Sequence, residues 1–243
     1  MENQERSLYV IRSSELSRWV QSKRSTSLII HGNSKRVTRK SGLSFVCARI
    51  VYVLDQIRAA SPPPNSKSDV PSIIPLYFFC GQHVTPRESW ESPAGIINSL
   101  LAQLLTHCKK ADLSKAAKLG RFDSGEVDEV MERFEKVLHR LPPNTMVFCV
   151  IDGLSFYVDE DETKEDAEYL IDSLTELVET NNRSKNRPIF KLLVTAPARL
   201  RVDEEVWGDS KVLRLPDTVP NTGGFTAMKW DMAIGKRLNA LGE

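Results

Sequence analysis

Lys40 and Ser41 stand between a short apolar run and a long apolar helical pattern, and this order of elements suits phosphate chemistry. The run ends at Gly32, and basic residues occupy positions 35, 36, 39 and 40 of the loop behind it. In a phosphate-binding loop the backbone N–H groups cradle phosphates, a lysine reaches the terminal phosphates, and the next Ser or Thr holds magnesium. We therefore expect Gly32, Lys40 and Ser41 to bind phosphate, with Ser41 also holding the metal.

The spacing of this loop departs from the motif G-x-x-x-x-G-K-[ST]. Six residues, 33–38, separate Gly32 from Arg39-Lys40-Ser41, where the motif has four between its two glycines. Arg39 takes the place of the second glycine, and a side chain on a left-handed backbone costs about 1–2 kcal/mol. The extra residues also change which N–H groups point inward. The alternative is that Ser41 only caps the next helix, with the basic residues solvated around it.

Asp152 and Thr195 each end an apolar run, which makes them the next candidates for the same site. The carboxyl ends of parallel strands meet at one edge of a sheet, where ligands bind. We expect the loops after both residues to line the ligand crevice. Asp152 can equally be a relic that hydrogen-bonds its own turn. In either case a buried acid needs a partner, so Lys40 or Thr195 should lie beside it.

His83, close to Cys80, raises the alternatives of a Cys–His pair or a metal site. No complementary C-x-x-C or H-x-x-x-H spacing occurs in the chain, which favours a loop histidine hydrogen-bonded near the sheet edge. The basic cluster at positions 35, 36, 39 and 40 has no interleaved aromatic residues, so nucleic-acid binding is not expected. The acidic stretch 159–166 is interpreted as a solvated loop and a helix start.

Strands and helices alternate along the chain and must position these residues. Helices are predicted from Ser14, from Leu43 to Ile57, after Ser92-Pro93, after Ser124, and over 167–178. Strands are predicted at Leu28–His31, Ile74–Cys80, Met146–Ile151, Ile189–Val194 and Val212–Leu215. The strands are apolar throughout, so both sheet faces should be covered. We therefore predict an α/β fold, three-layer and doubly wound, with a mainly parallel five-stranded sheet, and expect Leu8–Ile11 to be an edge strand or a packed tail.

Length and composition suit one large core: 243 residues with 41% hydrophobic content. We expect an N-terminal polar segment with a leading helix over 1–26, the α/β domain over 27–216, and a tail with a helix over 217–243. The net charge of +1 creates no global field that attracts nucleic acid or an anionic membrane.

The four cysteines lie in apolar runs without paired short spacing, which is typical of free thiols in a reducing compartment. No signal peptide opens the chain, and no apolar run approaches the ~18 residues needed to span a bilayer. The expected location is therefore cytoplasmic, without membrane attachment.

Taken in order, the motifs resemble a STAND-class P-loop NTPase of the NACHT type, as in fungal nephrocystin-like signalling proteins. The pieces that carry the resemblance are SLIIHG for the Walker A strand, IPLYFFC and the SPAGIINSLLAQLL helix, VFCVIDGLSF for Walker B, and KLLVTAPARL for the sensor strand. The resemblance implies a P-loop NTPase-like fold and ATP or GTP with magnesium as the cofactor. It also implies cofactor-binding roles for Gly32, Lys40, Ser41, Asp152 and Thr195, with Ser41 and Asp152 at the metal.

The departures from the family pattern mainly affect the residues that hydrolysis requires. The family usually has further acids just after the Walker B aspartate, one of which helps to polarise the attacking water, whereas this chain has Leu154, Ser155 and Phe156. Phosphoryl transfer depends on positioning and charge neutralisation, so these losses impair hydrolysis more than binding. We expect a degenerate regulatory or protein-interaction module with protein partners, without efficient hydrolysis and with no catalytic residue assigned. The alternative is a slow ATP- or GTP-binding switch that uses Lys40, Ser41 and Asp152 with magnesium.

Overall fold

The strands form one continuous parallel sheet in the computed structural model, which describes residues 2–34, 39–60, 71–83, 92–107, 126–158, 161–198 and 211–242. The order across the sheet is β2-β3-β4-β1-β5, and every neighbouring pair is parallel. The strands are β1 (Thr26–His31), β2 (Ser72–Phe79), β3 (Thr145–Asp152), β4 (Ile189–Ala196) and β5 (Lys211–Arg214). The predicted α/β fold with a five-stranded sheet is confirmed, and the sheet is parallel throughout these residues.

Helices cover both faces of the sheet, as the continuously apolar strands predict. On one face lie α1 (Glu2–Arg12), α2 (Ser14–Gln21), α3 (Gly42–Ala60) and the C-terminal helical residues. On the other lie α4 (Pro93–Thr106), α5 (Val127–Leu138) and α7 (Asp161–Asn182), with the one-turn α6 (Ser155–Val158) between β3 and α7. Within β1, Leu28 and Ile30 belong to the first core and Ile29 to the second. The core is therefore divided by the sheet into two apolar layers.

The chain ends in a helical run over residues 227–242. It consists of α8 (Ala227–Trp230), a π-helical turn (Asp231–Gly235), α9 (Lys236–Asn239) and a 3-10 turn (Ala240–Gly242). Trp230, Ile234 and Leu238 are buried and belong to the core that contains α3. The helix predicted for the tail is present and packs against the sheet domain.

The stretch Leu8–Ile11 is not an edge strand; it is part of α1. Leu8 and Ile11 are three residues apart and both buried, which is the spacing of one helical face. Acids in the first turn, Glu2 and Glu5, favour the positive end of the helix dipole. Residues 2–7, before Leu8, are polar, so the sequence shows only a short apolar run there and no helical period.

Two helix starts illustrate how local sequence sets the elements. Ser92 accepts a hydrogen bond from the Gly95 amide at 3.1 Å, and Pro93 occupies the first turn of α4, as predicted. For α2 the cap is Ser13 rather than Ser14, since its Oγ accepts from the Leu16 amide at 3.2 Å. The predicted cap Ser124 lies outside the described residues.

No helix in the described part of the chain combines the length and apolarity that crossing a membrane requires. Three cysteines, Cys47, Cys80 and Cys149, are buried free thiols, and burial raises the pKa of each. Cys108 lies outside the described residues.

Candidate functional site

The polar residues predicted for the site collect at the carboxyl ends of β1, β3 and β4. Asp152 of β3 and Thr195 of β4 are register partners, and His31 of β1 pairs with Ala196. The Gly32 amide donates to the Ala196 carbonyl at 2.7 Å, which extends the pairing one residue beyond β1. A parallel sheet places ligand crevices at this edge, so the fold brings Gly32, Asp152 and Thr195 to the expected place.

Asp152 is almost fully buried, with 2% of its surface exposed. The Thr195 hydroxyl donates to its Oδ1 at 2.6 Å, which makes Thr195 the partner expected for a buried acid. Burial raises the pKa of Asp152, and hydrogen bonds from Thr195, Ser44 and Cys47 oppose that rise only in part. The carboxyl group is therefore held in an environment that disfavours its charge.

The turn after Asp152 is fixed by the neighbouring strand. The amides of Gly153 and Leu154 both donate to the Thr195 carbonyl, at 2.9 and 3.0 Å. Gly153 has φ +83°, a conformation that side chains disfavour, so glycine suits this position. Ser155 follows with its Oγ buried and without a hydrogen-bond partner among the described atoms. This rigid turn presents no second acid next to Asp152.

Ser41 caps helix α3. Its Oγ accepts from the Ser44 amide at 3.1 Å, and the Ser41 amide donates to the Ser44 Oγ at 3.2 Å. This reciprocal pair is a capping box with serine at its third helical position. The helix-capping alternative for Ser41 thus matches the geometry, while binding of phosphate or metal by Ser41 stays a prediction.

Ser44 and Cys47 are the α3 side chains that face Asp152, and the sequence interpretation missed both. Hydrogen bonding from their hydroxyl and thiol acts to lower the pKa of the Asp152 carboxyl. The two residues lie three apart on a helix, so they share one face. Cys47 is fully buried, and burial followed by the Asp152 charge raises its pKa well above the ordinary value.

The position of Ser44 gives a second, gap-free alignment of the phosphate-loop motif. Residues 37–44, VTRKSGLS, align with G-x-x-x-x-G-K-[ST] at two of its four fixed positions, with Gly42 as the second glycine and Ser44 as the terminal Ser. Val37 then replaces the first glycine and Leu43 replaces the lysine. Leu43 is 3% exposed and packs in the core. In this alignment an apolar side chain stands where the phosphate-binding lysine belongs.

Arg39 and Lys40 are both exposed, outside the buried cluster around Asp152. The backbone of Arg39 passes close to the end of β2, because a Cβ added to Gly81 would lie 2.5 Å from the Arg39 carbonyl oxygen. Phosphate binding by Lys40 stays a prediction. Lys35, Arg36, Asp159, Glu160 and Arg199 lie outside the described residues.

Position 32 requires glycine because the neighbouring backbone lies close to it, and not because its φ is positive. A Cβ there would lie 2.6 Å from the Pro197 carbonyl oxygen and 3.0 Å from that of Ala196. The next residue, Asn33, has φ 51°, and the Ser34 amide donates to the Pro197 carbonyl at 2.9 Å. The first residues after β1 therefore lie against the carboxyl end of β4.

His83 lies near the end of β2 and stacks on Phe78 with ring centroids 4.6 Å apart. Its carbonyl accepts a hydrogen bond from the Tyr157 hydroxyl at 3.4 Å. Within the described ranges no group of three or more His, Cys, Asp and Glu residues is arranged to hold a metal ion. These contacts match the loop histidine that the sequence favours.

The residues fit a magnesium nucleotide only in part. Hydroxyl and carboxyl oxygens of Ser44, Asp152 and Thr195 are the hard ligands that magnesium prefers. The aligned lysine, which would meet the terminal phosphates, is the buried Leu43. The phosphates of a nucleotide bound here would need another residue to neutralise their charge, and the exposed Lys40 is the candidate.

Similarity to known proteins identifies the family of this chain. Among curated proteins nothing matches this chain. Among solved structures, the Aeropyrum pernix Orc1 protein in complex with DNA is similar, with a TM-score of 0.49 and 15% identity over 99% of this chain. The chain spans 50% of the length of that protein. Residues 8–196 match the sequence model of the family described as Nephrocystin 3, N-terminal, and this chain therefore belongs to that NACHT-like, P-loop NTPase-like family.

Proposed function

We propose that this protein is a degenerate P-loop NTPase-like module that regulates or binds other proteins and does not hydrolyse nucleotide efficiently. The observation that carries the proposal is Leu43, which is buried and takes the position of the phosphate-binding lysine when Ser44 is aligned as the terminal Ser of the motif. A leucine offers neither charge nor hydrogen bond to a phosphate. Neutralising the phosphoryl charge is the main work of such a site, so its loss removes most of the catalytic effect.

The turn after Asp152 supports the same proposal. Leu154 is buried, Ser155 is buried, and the side chain of Phe156 packs within 3.2 Å of the Cβ position at Gly153. None of these groups can accept a proton from water in the way a carboxylate does. Among the residues of the site that the structure describes, Asp152 is the one acid, and it already accepts a hydrogen bond from the Thr195 hydroxyl.

A binding role for other proteins follows from the resemblance and is supported by apolar side chains on the surface. Phe45, Met228 and Met232 are 47%, 71% and 70% exposed. Large exposed apolar groups, where they are contiguous, mark contact sites for partners. We place the protein in the cytoplasm, because its described cysteines are reduced and buried, as in a reducing compartment.

A phosphate-release assay with ATP and with GTP, each with magnesium, tests the proposal. We expect release by the purified chain to equal that of a no-protein blank. We expect Lys40→Ala to change nothing, with Lys23→Ala as the control for a surface lysine far from the loop. Turnover in the ordinary enzymatic range of about 1 s⁻¹ or faster, abolished by Lys40→Ala, would disprove the proposal.

The alternative function is a slow nucleotide switch that uses Lys40, Ser41 and Asp152 with magnesium. The convergence of Ser44, Asp152 and Thr195 at one edge of the sheet favours it, since these groups still form a hard-ligand cluster. The two functions differ in binding rather than in turnover. The switch requires magnesium-dependent nucleotide binding that Asp152→Ala abolishes, and the degenerate module predicts none.

A further inference from the structure

Three consecutive polar residues of α1, Glu5, Arg6 and Ser7, are buried in a helix whose first turn is otherwise exposed. Their exposed fractions are 7%, 6% and 2%. Buried polar and charged side chains are retained only where hydrogen bonds satisfy them. Each of the three bonds to a segment far away in the sequence, and together they reach two such segments.

Arg6 and Ser7 hold the two ends of the loop between β1 and α3. The Arg6 guanidinium donates to the Gly32 carbonyl at the start of the loop. The Ser7 hydroxyl contacts the Gly42 carbonyl at 2.8 Å, at the start of α3. Gly42 lies so close to the Asn3 carbonyl that a side chain could not be accommodated there. One turn of α1 therefore spans the loop at both ends.

Glu5 and Arg6 also hold residues 215–224, which we call the C-terminal segment. The Glu5 carboxylate accepts from the Thr222 amide and hydroxyl at 3.0 and 2.9 Å, and from the Gly224 amide at 2.6 Å. Arg6 donates to the Asp217 carbonyl at 3.0 Å. Such charge-assisted bonds are stronger than neutral ones.

The loop and the C-terminal segment also contact each other. The Asn33 side chain donates to the Asp217 carboxylate, and the Leu215 amide donates to the His31 carbonyl at 2.9 Å. Arg6 thus sits where the loop start and Asp217 meet, with its guanidinium shared between the two carbonyls. A shift of either segment removes a carbonyl acceptor from the same buried cation, which then depends on its other acceptor and on its ion pair with Glu2 at 3.2 Å.

We propose that Glu5, Arg6 and Ser7 form a coupling element that makes the β1–α3 loop and the C-terminal segment change conformation together. A ligand or partner that rearranges the loop then loosens residues 215–224 and the helical run that follows them. The coupling adds regulation to the proposed function. It rests on the loop geometry and not on nucleotide binding, so either can fail alone.

Hydrogen–deuterium exchange on the full chain, without nucleotide, tests the coupling. Glu5→Ala removes the hydrogen bonds to Thr222 and Gly224 and the charge interaction with Lys229, none of which involves the loop, so any effect on the loop must be transmitted. We expect exchange to become at least about threefold faster in the C-terminal segment and also in residues 42–47. Arg12→Ala, in the exposed last turn of the same helix, is the matched control and should leave both regions unchanged.

Thr222→Val tests the coupling from the C-terminal segment and provides a second variant in case Glu5→Ala does not fold. It removes one hydroxyl donor on the C-terminal segment and leaves α1 intact. We expect faster exchange in residues 42–47 here as well, with far-UV circular dichroism unchanged. Faster exchange confined to residues 215–224 in both variants would show that Glu5 is only a local anchor and would overturn the coupling.

Discussion

Asp152 is a carboxyl group that the fold holds where its charge is unfavourable. Its pKa is raised by burial, so the folded state binds the proton more tightly than the unfolded chain does. Stability from this group is therefore present below the ordinary pKa and is lost as the pH rises through the raised value. A residue retained against stability is typical of a functional position or of its relic.

Replacing Asp152 with Asn should stabilise the protein at neutral pH. Asparagine keeps the shape and an oxygen that accepts from Thr195, and it removes the buried charge. We expect the free energy of unfolding in urea to rise by on the order of 1 kcal/mol at pH 7, with a smaller gain near pH 4. A variant less stable than the parent at pH 7 would show that the carboxylate is well compensated by its three donors.

Lys191 is the second buried ionisable group of interest, and it belongs to the structure rather than to the site. It is fully buried in β4, and its Nζ donates to the Trp19 and Val20 carbonyls at 2.9 and 2.6 Å. The ammonium also lies 5.2 Å from the centre of the Phe148 ring. Burial lowers its pKa to about 7, which means that the environment disfavours the charged form. Its two hydrogen bonds attach the end of α2 to the sheet.

Lys191→Met should flatten the pH dependence of stability above neutrality. The folded pKa of about 7 lies below the unfolded value, so stability increases as the pH rises between them and falls toward pH 7. The slope contributed by this lysine approaches about 1.4 kcal/mol per pH unit. Urea unfolding at pH 7.5 and pH 9.5 measures it in both proteins. Equal pH dependence in parent and variant would refute the buried-amine account.

At the scale of elements, the start of α3 decides both the geometry and the chemistry of the site. Ser41 begins the helix and Ser44 turns toward Asp152, so Leu43 between them is directed into the core. The helix start is therefore set by the capping pair. The Arg39-Lys40 dipeptide remains outside it, on the surface.

Ser41→Ala should destabilise the protein by about 1 kcal/mol, because the capping bond to the Ser44 amide is lost. Ser41→Asn restores a capping oxygen and should recover most of the loss. Urea unfolding with and without magnesium measures both effects, and we expect no influence of magnesium. Stabilisation of the parent by magnesium that is absent in Ser41→Ala would instead support metal binding at Ser41.

The order of elements and the strand-end residues could be predicted from the sequence, because apolar runs and Gly or Pro breaks mark them directly. Asp152 and Thr195 meet as predicted, since parallel strands bring their carboxyl ends to one edge. The partners from α3 could not be chosen in this way. Lys40-Ser41 has the right residue types, and only the helix start shows that Ser44 is the serine facing Asp152.

The role of α1 was also beyond the sequence interpretation. Leu8–Ile11 supplies a continuous apolar signal that strands and helices share, and the polar residues before it carry no periodic pattern. The hydrogen bonds of Glu5, Arg6 and Ser7 join residues up to 219 positions apart in the chain. Such contacts depend on tertiary packing, for which a single sequence gives no local sign.

At the scale of the whole molecule, we propose that the fold of the family persists while the chemistry of its site is lost. The two-layered core, the parallel sheet and the Asp152–Thr195 contact are those of a P-loop NTPase-like domain. In the proposed function, Leu43 stands where the lysine of an efficient hydrolase would be, and Leu154 and Ser155 stand where its second acid would be. Architecture depends on many apolar contacts, whereas phosphate chemistry depends on a few polar groups, so the second can be lost while the first persists.

We propose that this fold does not use magnesium nucleotides, and calorimetric titration of the purified chain tests the proposal most directly. The titrants are ATP and GTP, each with magnesium and with excess chelator, against the parent and Asp152→Ala. We predict no magnesium-dependent heat and therefore no binding tighter than about 1 mM. Saturable, magnesium-dependent heat in the micromolar range, lost in Asp152→Ala and in Lys40→Ala, would contradict the claim and establish a working switch.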